Sequence, residues 1–75
     1  MNTELMEIQI TQDMMELADQ YEIAASNERL WAKGSPDAET AQMHKENAEH
    51  NIEMAKKYRR MAKYPTAIIK LFEED

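Results

Sequence analysis

Between Ser35 and Lys63 the chain carries Ala41, Ala48, Ala55 and Ala62 at strict seven-residue spacing. On a helix, such a stripe lets a second helix approach closely along its length. At 1.5 Å per residue the stripe runs for about 32 Å, so its partner must be a long helix too. On a helical wheel the alanines share one face with Ile52, Tyr58, Met43, Met54 and Met61. Lys45, Glu46, Glu49, His50, Glu53, Lys56, Lys57, Arg60 and Lys63 take the other. An apolar arc this wide suits a helix with more than one neighbour.

Residues 3–33 predict the first helix, with Thr3 as its N-cap and Glu4 and Glu7 at the positive end of its dipole. Its principal apolar face holds Met6, Ile10, Met14, Leu17, Ala18, Tyr21, Ala24, Ala25, Trp31 and Ala32. The β-branched run Ile8-Gln9-Ile10-Thr11 is its weak point, and Thr11 is placed to cap a fresh start, which would make the first turns a separate short helix. Leu5, Ile23 and Leu30 fall outside the principal face, and Ile8 and Met15 lie beyond its other edge. Apolar groups on two sides of one helix point to a second packing surface.

The connection Lys33-Gly34-Ser35-Pro36-Asp37 reads as a stop followed by a start. Gly34 in the left-handed region ends one helix, Ser35 caps the next and Pro36 takes its first position. So short a turn folds the second helix, about 36–63, back antiparallel to the first. Asp13, Glu16 and Asp19 then come near the level of Lys56, Lys57, Arg59 and Arg60. Pro65 ends the second helix near Tyr64. The segment 65–72 follows as a short third helix or an extended arm, with Ile68, Ile69, Leu71 and Phe72 docking on the hairpin or on another subunit.

The expected fold is therefore all-α: one domain over residues 1–75, an antiparallel two-helix hairpin with a short C-terminal segment, assembling into a helical bundle. Seventy-five residues without a cysteine have neither a disulfide nor a thiolate metal site to supplement a small core. Self-association is the expected substitute, with Leu5, Ile8, Met15, Ile23, Leu30, Ile68, Leu71 and Phe72 in the interface. With no secretory signal pattern and no apolar run near 20 residues, a cytoplasmic protein off the membrane is expected. The net charge of −6 disfavours general nucleic-acid affinity. The basic run Lys56 to Lys63 is read as neutralising the acidic helix beside it.

Two constellations could carry chemistry. Glu46, Glu49, His50 and Glu53 lie within two turns, and Glu46 with His50 has the i, i+4 spacing of shared metal ligands, as in ferritin-like carboxylate sites. The Glu-x-x-His pattern of such sites is missing, and His50 falls opposite the alanines, so a solvated charged face is the competing reading. Glu28 falls within the first helix's apolar arc, and His44, Asn47 and Asn51 form a polar seam within the second's. Either Glu28 and His44 form a hydrogen-bonded device that sets register, or they line a small-ligand pocket with Tyr21 and Trp31. No nucleophile has a base at recognisable spacing, and one glycine excludes the usual phosphate loops. The functional expectation is a non-enzymatic oligomeric interaction protein, without a cofactor, whose partners are itself and another protein: an adaptor, regulator or inhibitor. Ligand sequestration between helices or subunits is the alternative.

Overall fold

The computed structural model describes residues 3–73 and contains three helices: α1 (Thr3–Gly34), α2 (Ala38–Ala62) and α3 (Pro65–Glu73). α1 and α2 form the antiparallel hairpin, and the segment after Pro65 is a helix rather than an extended arm. The result is a rod of 55 × 21 × 15 Å. Its radius of gyration of 16.5 Å compares with about 11 Å for a compact domain of this length.

The hairpin is zipped by alanine on both sides. Thr11 Oγ1 donates to the carbonyl of Ala62 at 3.4 Å, which sets the level of one helix against the other. Stepping by sevens from that point towards the turn sets Ala18 level with Ala55, Ala25 with Ala48 and Ala32 with Ala41. The buried side chains among the described residues are Ala18, Ala25, Ala32, Ala48, Ala55, Ala62 and Ile69. Ile69 carries the α2 spacing on into α3. Methyl groups on both helices allow close approach, and that approach is what leaves so little volume to fill.

α1 runs unbroken through Ile8-Gln9-Ile10-Thr11, contrary to the expected break. The β-branched residues cost only a few tenths of a kcal/mol each in a helix, and here they have compensation: Ile10 is half-buried, and Thr11 occupies the next seven-residue level after Ala18. Thr11 does not cap a new helix; its hydroxyl reaches the last carbonyl of α2, which has no intrahelical partner. The cap of α1 itself borders residues 1 and 2, outside the described residues.

The turn differs from its sequence reading in each of its three roles. Gly34 is the last residue of α1, and no glycine has a positive φ. Ser35 does not cap α2; its hydroxyl donates back to the Trp31 carbonyl at 2.7 Å while its N–H closes on Ala32 at 3.3 Å. The cap is Asp37, in extended backbone, so Pro36 lies outside the helix rather than at its first position. Asp37 accepts from the Thr40 N–H at 2.7 Å and from the Thr40 hydroxyl at 3.1 Å. These bonds, the backbone one foremost, hold its carboxyl below the ordinary value of 3.8. A lowered carboxyl pKa favours folding above its unfolded value, so this stabilisation is complete above pH 3.8 and is lost as the pH falls through the folded value.

Gly34 thus has no conformational need to be glycine, and a Cβ there would meet nothing within 4 Å. Gly34→Ala is expected to stabilise the hairpin by about 0.4–1 kcal/mol, by restricting the unfolded chain. A shift of the denaturation midpoint to higher urea at unchanged slope is the check.

Pro65 ends α2 because it lacks the N–H that would bond the Met61 carbonyl and because its ring disfavours a continued helix at Tyr64. It then opens α3 at a helix's first position, where the missing N–H costs nothing. Thr66 Oγ1 donates to Glu7 Oε1 at 3.0 Å, tying α3 to the start of α1. α3 leaves Leu5, Ile23 and Leu30 each 63% exposed.

Candidate functional site

The polar seam expected inside the apolar arc is present at the turn end of the hairpin. His44 Nδ1 lies 2.5 Å from Glu28 Oε2, with the two side chains only 20% and 16% exposed. The contact is an ion pair if the imidazole is protonated and an N–H to carboxylate hydrogen bond if it is neutral. Trp31 meets the His44 ring edge-on, centroids 5.8 Å apart at 60°. α1 supplies Glu28 and Trp31 and α2 supplies His44, so the cluster exists only when the hairpin is closed.

Tyr21 belongs elsewhere. It is one seven-residue step along α1 from Glu28, about 10 Å at helical rise, and it stacks on Tyr58 with centroids 5.6 Å apart and planes at 12°. The four residues expected to line one pocket therefore form two separate layers. Acid and imidazole satisfy one another in the first, and two phenol rings cover one another in the second. A depression of about 350 Å³ beside this end of the hairpin is lined instead by Arg29, Ala32, Lys33, Ala41 and Lys45. Tyr58, which completes the second layer, is readable in the sequence: it lies two seven-residue steps beyond His44, as Tyr21 lies one step before Glu28.

Glu46, Glu49, His50 and Glu53 all lie exposed on α2. Among the described residues no three His, Asp or Glu side chains are placed to hold a metal ion. Glu46 accepts from the Gln42 amide at 3.4 Å and Glu53 pairs with Lys56 at 3.6 Å, the local contacts of a solvated face. Of the expected bridges between acidic α1 and basic α2, one cation makes the connection: Arg59 reaches Glu22 at 2.6 Å and Asp19 at 3.2 Å. The Glu22 hydrogen bond and the two negative charges raise the guanidinium above its ordinary value. The group stays charged at any working pH, and its exposure to water keeps the contribution to stability small.

The residues expected to meet another chain are largely uncovered. Leu5, Ile8, Met15, Ile23, Leu30 and Leu71 are exposed, and Ile68 is half-buried. The Phe72 side chain lies outside the described residues. Leu5, Ile23 and Leu30, each 63% exposed, recur at helical spacing on the back of α1, whereas Ile8 and Met15 share the seven-residue position of Glu22, which Arg59 of α2 reaches. A different set, including Leu17, Met54 and Met61, is half-buried along one broad side of the hairpin. No described helix is long and apolar enough to cross a membrane. Comparison with protein families, curated proteins and solved structures finds no match to this chain.

Proposed function

We propose that this chain is a non-enzymatic interaction protein: a helical hairpin that self-associates and, through the apolar residues on the back of α1, occupies the surface of another protein as an adaptor, regulator or inhibitor. The observation that carries this reading is that, among the described residues, no large side chain is fully buried within the single chain. The core that they form, six alanines and one isoleucine, removes little apolar area from water, and apolar area is the main source of folding free energy. The accessible surface, 5788 Å², exceeds by roughly 1,000 Å² what a compact monomer of this mass exposes.

The mutual satisfaction of Glu28 and His44 supports the non-enzymatic part. Native mass spectrometry of the protein taken directly from its source tests the whole reading. The expected spectrum shows a multiple of the chain mass, with no stoichiometric metal or small molecule, and a second polypeptide retained under gentle conditions. A single chain carrying a metal ion or a small molecule would overturn it.

A further inference from the structure

One side of the hairpin is built as a seam in its own right. On α1, Ile10, Met14, Leu17, Tyr21, Ala24, Glu28 and Trp31 recur at alternating steps of four and three. On α2, His44, Asn47, Asn51, Met54, Tyr58 and Met61 do the same. This is the spacing with which helices pack into coiled coils and bundles, and it is additional to the alanine stripes that already join α1 to α2. Apart from exposed Trp31 and Asn47, these residues are half-buried, each touching its own chain with one side.

The seam is graded along its length. Towards α3 it is apolar, with Ile10, Met14 and Leu17 beside Met54, Tyr58 and Met61; towards the turn it is polar, with Glu28, His44, Asn47 and Asn51. We infer that this side is covered by a second copy of the chain with the two turns at the same end, completing a four-helix bundle. The inference rests on the self-association proposed above and adds its face and its direction.

Three physical considerations choose this arrangement. With the twofold axis along the rod, each level of the seam meets its own level, so apolar side chains meet apolar ones and the Asn47, Asn51 and Glu28–His44 layers meet their counterparts. Turning one copy end for end would lay α2 on α2 and set Asn47 and Asn51 against Met61 and the Tyr58 ring, burying amides against apolar surface. The same-end arrangement also lays α1 of each copy over α2 of the other, every neighbouring pair being antiparallel. α1 carries seven carboxylates against Arg29 and Lys33, whereas α2 has four against five Lys and Arg. The opposed arrangement stacks the acidic helix on itself, where like charges repel. In the same-end bundle Asp13 comes within a turn of Lys57 of the second copy.

Size agrees. The 55 × 21 Å outline of that side offers on the order of 1,000 Å² per copy, above the ~800 Å² per partner of a standard stable interface. The back of α1, a single helix wide, offers less.

A nitroxide at Gly34→Cys reports the direction. The site opens to free space and the chain has no other cysteine. Pulsed dipolar spectroscopy is expected to give a label separation of about 20–30 Å, two to three helix spacings. Trp31, the only tryptophan and part of the seam, reports the face. Its emission is expected to shift to the blue as concentration rises through the association range. A separation near the 55 Å length of the rod would overturn the direction while leaving self-association intact. Association with unshifted Trp31 emission would overturn the face. A chain that sediments as a monomer and shows no dipolar coupling would sink this inference and the proposed self-association together.

Discussion

Ala48→Leu is expected to destabilise the hairpin by about 1–3 kcal/mol, the cost of forcing extra methylenes into a packed interior. Ala48 is 3% exposed, level with Ala25 at 3%, and both helices come close because neither carries more than a methyl there. A leucine leaves two outcomes: the helices separate along their length and every buried alanine loses its contacts, or the side chain takes a strained rotamer. Each costs more than the added apolar surface returns. A loss of this size lowers the melting temperature by about 4–8 °C per kcal/mol in a domain of 60–100 residues. Ser26→Leu is the internal control. Ser26 lies one residue off the stripe and is exposed, outside both the α1–α2 contact and the seam, where a substitution changes stability little. Thermal denaturation of both variants at one fixed concentration should show a large loss for Ala48→Leu and a small change for Ser26→Leu. Equal losses would mean that the alanine stripes do not set the spacing of the helices.

His44→Ala should cost about 1–3 kcal/mol, because it leaves Glu28 with a mostly buried carboxylate and no partner. The sign of the double replacement is different. Glu28→Leu combined with His44→Leu removes the desolvation cost of both polar groups together with their mutual attraction, and such exchanges are neutral or stabilising. Urea denaturation of wild type, Glu28→Leu, His44→Leu and the double variant closes the thermodynamic cycle, with His44→Ala measured alongside. The expected pattern is a large loss for His44→Ala and little or none for the double leucine. If His44→Ala were neutral, Glu28 would have to be reaching water, and the pair would have no part in setting the register of the hairpin. Trp31, edge-on to the imidazole, should report the same change through its fluorescence.

Much of the architecture is legible before any coordinates. The seven-residue alanine spacing requires a long partner helix, a five-residue connection lets that partner be only the segment before it, and Pro65 ends the second helix on steric grounds alone. These are local or periodic constraints, and they survive into the fold because nothing in a two-helix rod competes with them. Glu28 and His44 were traceable as a pair because a charge on an apolar arc needs company. The matching stripe Ala18, Ala25, Ala32 is equally visible as a spacing, but on α1 it is masked by the larger apolar side chains of the same broad face.

What the amino-acid order determined without help is the class of structure: helices of these lengths, folded back once, with apolar surface in excess of what two helices can cover. The tertiary structure decided three further matters: that Asp37 rather than Ser35 starts α2, that α1 continues through Ile8 to Thr11, and that Tyr21 stacks on Tyr58 instead of joining Glu28. The last two depend on where one helix stands against the other, a quantity set by the closest approach of methyl groups along the rod, whereas the Asp37 cap is a local choice fixed by its bonds to Thr40. Periodicity reports which face turns inward, but only packed coordinates report at what height two inward faces meet.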